Sequence, residues 1–320
     1  MIKAAIGIDI GGTNTAFGIV DGSGKVISED SIERKDYGSA ADFVKKLSSG
    51  INKLISKSAE ELDIIGLGIG APNGNYYKGT IEFAPNLPWK GEIKFADMFR
   101  QYFDLPVILT NDAKAAAIGE MIYGAAKGMR DFILITLGTG LGSGFVANGE
   151  LIYGNDGFAG ELGHVIAVRG GRLCGCGRKG CLEQYASATG IVKTVIEMLA
   201  QSNEKSELRD IAEDSITSKK IFEAAKAGDK LALDAFDYTA KILGMSLADA
   251  VAITSPEAII LFGGLALSGD LILKPTKMYM EENLLDVYKN KVKLLLSSIA
   301  GSNAAILGAS ALAWKSAISK

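Results

Sequence analysis

Apolar and polar positions alternate along the chain in blocks that predict strands interleaved with helices. Residues 4–10 form an apolar, β-rich run that stops at Gly11-Gly12. A second such run covers 15–20, Asp21-Gly22-Ser23-Gly24 makes a turn, and a third run starts at Lys25. Asp-Gly between two runs of this kind signals a hairpin. Over 40–57 the period changes, and Phe43, Leu47, Ile51, Leu54 and Ile55 share one helical face. Buried strands are predicted at 64–69 and 107–110, followed by an Ala-rich helix from Asp112 to Tyr123.

The second half restarts the pattern. Residues 132–137 read as a strand, 138–144 as a glycine turn, 145–147 as a strand, Asn148-Gly149 as a hairpin turn and 151–153 as a third strand. A shift of 127 residues carries Gly11 onto Gly138 and Gly22 onto Gly149, which implies a duplicated unit. Helices are predicted near 187–200, 219–227, 230–252, 266–284 and 303–318, flanking strands at 257–262 and 292–296. Strands alternating with helices give α/β domains with a ligand between them.

Composition narrows the functions open to such a chain. Its 320 residues are enough for two domains with real cores. Lys and Arg number 34 against 37 Asp and Glu, so there is no basic excess for nucleic acid. Glycine is over-used, at 39 residues against an average of about 7%, and it points to tight turns and close backbone approach. Two uncharged runs, 132–149 and 294–314, are broken by glycine and polar residues and read as strands and a small-residue helix instead of membrane spans. Asp9 arrives too early for a signal-peptide core. The expectation is a soluble, cytoplasmic protein.

Two loops carry candidate phosphate chemistry. Asp9-Ile10-Gly11-Gly12-Thr13-Asn14 places a carboxylate at a strand end, then two residues without Cβ. Exposed N–H groups in such a turn can cradle phosphate, and Asp9 can hold Mg²⁺; a plain hairpin with a solvated Asp remains open. Gly138-Thr139-Gly140-Leu141-Gly142-Ser143-Gly144 is the partner loop. No Walker-type sequence occurs. Gly66-x-Gly68-x-x-Ala71 matches a dinucleotide fingerprint in form only, because Pro72-Asn73-Gly74-Asn75 reads as a turn where that motif needs a helix.

All three cysteines, Cys174, Cys176 and Cys181, fall within eight residues, and the only histidine, His164, stands ten residues upstream. Three thiolates and one imidazole make a structural, four-ligand zinc site. A disulfide fits less well, since the cysteine count is odd and Cys174 and Cys176 are too close for an unstrained bridge. Asn111-Asp112 sits where a strand meets a helix. Either residue can be an N-cap, and Asp112 can equally serve as a base at a strand's C-terminal end. Glu161 and Glu183 flank the cysteine loop, as solvated charge or as hydrogen-bond partners for sugar hydroxyls.

Together these residues resemble the ROK family (repressors, open reading frames and kinases), within the actin-like, sugar-kinase-like ATPase fold. Residues 9–14 and 137–144 look like its two phosphate loops, and Gly160-Glu161-Leu162-Gly163-His164 like its sugar and zinc segment. Cys174-x-Cys176-Gly177-x-x-Gly180-Cys181-x-Glu183 resembles its cysteine signature, and Phe262-Gly263-Gly264 its adenine-side turn. The resemblance implies two duplicated, ribonuclease-H-like domains with the active site in the cleft between them. The expected units are 1–111, completed by the C-terminal helix 303–320, and 112–302, which carries the zinc loop. It implies ATP-dependent phosphorylation of a hexose, commonly glucose, with Mg²⁺, structural Zn²⁺ and Asp112 as catalytic base. Nucleotide would meet Asp9, Gly11, Gly12, Thr13, Asn14, Gly138, Thr139, Gly140, Gly263 and Gly264. Sugar hydroxyls would meet Asn86, Asn111, Asp112, Glu161, His164 and Glu183, with His164 also ligating zinc. N-acetylhexosamine kinases and sugar-sensing repressors share the family. The charge balance and a first strand beginning at Ala4 argue against a preceding DNA-binding domain. Such kinases are often dimers or tetramers. The stretch 71–77 departs from the family's usual Pro-Gly followed by Asp, which bears on sugar identity.

Overall fold

A computed structural model describes residues 1–33, 38–299 and 303–318. Residues 300–302 and 319–320, at the edges of the expected units, lie outside the described residues.

The chain opens with β1 (Ile2–Ile10), β2 (Asn14–Asp21) and β3 (Val26–Glu33), then α1 (Ala40–Lys57) and β4 (Leu62–Gly70). A small sheet of β5 (Gly74–Asn75), β6 (Thr80–Glu82) and β7 (Glu92–Ile93) follows, with α2 (Phe95–Arg100), β8 (Val107–Thr110) and α3 (Asp112–Tyr123). The second half holds β9 (Phe132–Leu137), β10 (Leu141–Ala147), β11 (Glu150–Leu151), α4 (Ala188–Gln201), α5 (Ser218–Lys226) and α6 (Lys230–Thr254). It closes with β12 (Ala258–Phe262), α7 (Asp270–Asn283), β13 (Lys293–Leu296) and α8 (Ala304–Ile318).

The two main sheets run β3-β2-β1-β4-β8 and β11-β10-β9-β12-β13. They have the same order, with an antiparallel hairpin edge and three parallel strands in each. The 127-residue offset seen in the sequence carries the first residue of β2 onto the first of β10. The repeat is therefore structural as well as sequential.

Helix α1 starts because Ser39 adopts an extended backbone and its Oγ accepts from the Asp42 N–H at 3.1 Å, a cap worth about 1 kcal/mol. It buries Phe43, Val44, Leu47 and Ile51 against the first sheet; Leu54 and Ile55 stay half-buried. A second core joins the second sheet to α4–α7. Between the sheets lie α8 and α3, packed on each other where Gly119 meets Gly308. A Cβ on Gly119 would sit 2.8 Å from the Gly308 Cα, so only these small residues allow the approach.

Three expectations change. The turn after β9 is shorter than 138–144: it closes at once through the Gly138 N–H to the Gly140 carbonyl at 3.1 Å, and β10 begins at Leu141. Gly142 and Gly144 belong to a strand because α3 passes over it; Cβ atoms there would lie 2.8 Å from Ala113 Cβ and 2.6 Å from Ala117 Cβ. The third strand of this unit is Glu150–Leu151 instead of 151–153. The helix expected at 266–284 is broken at Gly269 (φ +60°) into a short 3₁₀ turn and α7. Gly66 and Gly68 lie within β4, where Gly68 lets the α8 backbone pass. No helix of the described residues is long and apolar enough to cross a membrane.

Candidate active site

In each sheet the parallel strands end at one edge, where α/β proteins collect ligands. Asp9 near the end of β1, Asn111-Asp112 after β8, Gly138 after β9 and Gly263 after β12 all reach that edge. Asp9, Asn86, Asn111, Asp112, Gly138, Thr139, Gly140, Glu161, Glu183 and Gly263 line one cleft of about 490 Å³ between the sheets.

The local chemistry assigns Asn111 and Asp112 different tasks. Asn111 is the N-cap of α3, its Oδ1 accepting from Ala113 N at 2.9 Å and Lys114 N at 3.4 Å. Asp112 is then the first helical residue. Its Oδ1 accepts from its neighbour's N–H at 2.8 Å, and the carboxylate opens onto the cleft. Protein packed closely around it raises its pKa, against hydrogen bonds that lower it. Burial, and next the Asp112 charge, push Asp9 up to about 7. Gly70 lies against both: a Cβ there would stand in ordinary contact, 3.5 Å from Asp112 Cα and 3.6 Å from Asp9 Oδ1. A desolvated carboxylate beside a second negative charge suits a divalent cation with water ligands.

The opposite wall is built on glycine. A Cβ on Gly140 would meet Glu183 Oε2 at 2.7 Å, whereas one on Gly138 would meet nothing within 4 Å. Of the first loop, Gly12 faces Asn86, whose Cβ would be 3.7 Å from an added methyl. Gly11, Gly12, Thr13 and Asn14 lie at the β1–β2 turn and do not themselves line the cleft. Gly264 opens on an adjoining, mostly apolar cavity of about 400 Å³, shared with Phe262 and Gly263 and walled by Leu261, Leu267, Leu296 and Ile299.

His164, Cys174, Cys176 and Cys181 come together, with every ligand atom within 4.8 Å of the others. Cys174 Sγ lies 3.7 Å from His164 Nδ1, and the Cys176 and Cys181 sulfurs are 3.6 Å apart. Those are the edges of a tetrahedron with metal–sulfur bonds of about 2.3 Å, so the residues fit zinc. Backbone and side-chain hydrogen bonds from Arg178 lower the Cys176 pKa, while burial raises those of Cys174 and Cys181. Gly180 permits the fold of this loop: at φ +87°, a Cβ would strike the Val168 carbonyl oxygen at 1.8 Å. The Cys174 thiol donates to Glu183 Oε1 at 3.0 Å, tying the metal loop to the cleft. His164 stands in the metal cluster and is not among the cleft's lining residues.

Several site residues escaped the sequence reading. Pro72, Asn73, Pro85 and Thr136 also line the cleft. Ser143 Oγ donates to the Gly160 carbonyl and accepts from Leu162 N at 3.1 Å, bracketing Glu161. Arg172 spans the metal loop and α4, reaching Glu197, the Gln184 carbonyl and Thr194, with Tyr185 beneath its guanidinium at 4.5 Å. For Ser143 the signal was a polar residue between two strand glycines; for Arg172 there was none.

Two sheets of identical order enclosing a cleft, with glycine turns after β9 and β12 along its wall, define an actin-like ATPase fold. The chain belongs to the ROK family, whose profile matches residues 5–316. It is 34% identical to a glucokinase of Halalkalibacterium halodurans, over 95% of this chain and 92% of that protein. It is similar to the crystal structure of a ROK family glucokinase from Streptomyces griseus in complex with glucose and AMPPNP. There the identity is 36%, the TM-score 0.79, and 98% of this chain and 99% of that one are covered. A xylose repressor of Caldicellulosiruptor bescii is 30% identical over 97% of this chain, which spans 78% of that protein.

Proposed function

We propose that this protein is an ATP-dependent hexose kinase that phosphorylates the 6-hydroxyl of glucose. The observation that carries this reading is Asp112, a carboxylate facing a cleft lined by the glycine turn Gly138–Gly140 and the carboxylates Glu161 and Glu183. The glucokinases it resembles support glucose as the acceptor.

In this reading Asp112 accepts the proton of the sugar's primary hydroxyl, and that oxygen attacks the γ-phosphorus in line. Its raised pKa brings it nearer to neutrality, where a base works best. N–H groups of the turns at Gly11–Asn14 and Gly138–Gly140 hold the phosphates. The nucleotide base takes the cavity beside Gly263 and Gly264. Asn86, Asn111, Glu161, Glu183 and His164 hold sugar hydroxyls. Asp9 would hold Mg²⁺, which supplies charge neutralisation on the phosphoryl oxygens. His164, Cys174, Cys176 and Cys181 would hold a zinc ion that keeps the 160–183 segment in shape and has no part in the chemistry. The unit 1–111, completed by α8, closes on the unit that begins at Asp112 and excludes water, which protects ATP from hydrolysis. Thiols kept for a metal suit a reducing compartment, and the cytoplasm is the proposed location. A homo-oligomer, dimer or tetramer, completes the proposal.

The test is ADP release with Mg²⁺·ATP against glucose, N-acetylglucosamine, N-acetylmannosamine, mannose and fructose. A preference for glucose is expected, and Asp112→Asn should lower kcat about 10²- to 10⁴-fold while glucose still binds. Turnover only with an acetylated sugar would change the acceptor. An absence of sugar-dependent turnover would favour the sugar-sensing relatives.

A further inference from the structure

Lys114 is the one lysine among the largest fully buried side chains, with 1% of its surface exposed. It sits on α3 two residues after Asp112, and its Nζ donates to the Gly157 carbonyl at 2.9 Å. The Tyr153 ring lies 5.8 Å away, and the carboxylates that act on it are Glu161 and Asp156. None of these comes within ion-pair distance of it among the described residues. Taking an ammonium out of water is costly, and burial lowers its pKa accordingly. A methionine would fill similar volume without that cost, so the charge is accounted for by what it holds.

What it holds is the loop that leads from β11 to Glu161. Gly157 and Gly160 in this loop adopt φ of +93° and +87°, a region most side chains avoid, so its path depends on outside anchors. Tyr77 Oη donates to the Gly154 carbonyl at 2.9 Å, and Asn75 Nδ2 donates to the Asp156 carbonyl at 2.8 Å. Tyr76 stacks on Tyr153 at 4.1 Å. Ser143 holds Gly160. Lys114 is the anchor that joins this loop to the helix bearing Asp112.

We infer that Lys114 is a positioning residue for the acceptor sugar: its buried ammonium fastens the 153–160 loop to α3 and so fixes Glu161 relative to Asp112. The inference rests on the reading of Glu161 as a sugar contact. A buried charge-assisted hydrogen bond is strong, and displacement of a contact by about 1 Å can cost on the order of a hundredfold in rate.

The experiment is steady-state kinetics of the full-length protein as wild type, Lys114→Met, Lys114→Gln, Glu161→Gln and the Lys114→Met/Glu161→Gln double variant, with thermal unfolding of each. Lys114→Met is expected to lower kcat/KM for glucose about tenfold or more through KM, with KM for ATP unchanged. Lys114→Gln, which keeps a donor, should recover part of the loss; should the Met variant not fold, the Gln variant alone must show the selective glucose effect. In the Glu161→Gln background, Lys114→Met should add less than about threefold. Glucose KM unchanged in the Lys114 variants, equal losses for glucose and ATP, or fully multiplicative effects in the double variant would each overturn the inference. If Glu161→Gln raises glucose KM and Lys114→Met does not, the inference fails and the sugar-contact reading stands. If Glu161→Gln itself leaves glucose KM unchanged, both fail.

Discussion

Adding one methyl at Gly140 tests the geometry of the sugar side of the cleft. The Cβ of Gly140→Ala would lie 2.7 Å from Glu183 Oε2, and ordinary contact begins at 3.4 Å. The carboxylate must therefore retreat by about 0.7 Å. Its other oxygen accepts from Gln184 Nε2 at 3.3 Å, which restricts the retreat. Gly140 does not need a left-handed backbone, and the obstructing atom is the end of a side chain. The folding cost should stay within about 1 kcal/mol, while the sugar contact suffers directly. A displacement of this size predicts a fall of about ten- to a hundredfold in kcat/KM for glucose, or about 1.4–2.7 kcal/mol. The companion Gly138→Ala adds a methyl with no protein atom within 4 Å, so any effect there should fall on the nucleotide. The assay is coupled ADP release with each substrate varied in turn, together with a melting curve for each variant. A folded Gly140→Ala enzyme with glucose KM within about twofold of wild type would refute the placement of Glu183 against the sugar.

Other perturbations follow from the same structure. Removing zinc by chelation or by Cys176→Ser, at an exposed position, should abolish one bound metal per chain and raise glucose KM before ATP KM; metal analysis beside kinetics checks this, and full glucose affinity without metal would contradict it. Because Asp9 has a native pKa raised from 3.8 to about 7, the native state holds a proton that the unfolded state releases. Its contribution to stability is present below pH 4 and lost as pH rises through about 7. The cation-free protein should accordingly melt lower at pH 8 than at pH 5 for this group. Asp9→Asn should flatten that slope and Mg²⁺ should restore the melting temperature at pH 8; a slope unaltered by Asp9→Asn would count against it. Gly68→Ala would drive a Cβ to within 1.8 Å of the Ala309 carbonyl oxygen on α8, backbone that cannot give way locally. It should cost about 3 kcal/mol or more, measured by denaturant unfolding, and a near-native midpoint would be inconsistent with the packing described.

Local signals in the chain were sufficient for much of this molecule. Alternation and helical spacing located the strands of both sheets, because a strand or a helix face is set by residues a few positions apart. The duplication was legible for the same reason: both copies keep the order of strand, glycine turn and strand. The metal cluster was legible because three of its ligands lie within eight residues and the fourth lies ten before. Tertiary structure decided whatever depended on a partner far along the chain. Gly142 and Gly144 read as turn residues until α3 is seen crossing their strand. Either Asn111 or Asp112 could cap α3 until the hydrogen bonds gave the cap to Asn111. The 71–77 stretch, odd as a motif, finds its partners in the loop of Gly154 and Asp156, some eighty positions away. Lys114 read as one more helical lysine, and only the folded chain brings the Gly157 carbonyl to its ammonium. Spacing within one element constrains which side chains share a face; it carries no information on which distant backbone atom that face will meet.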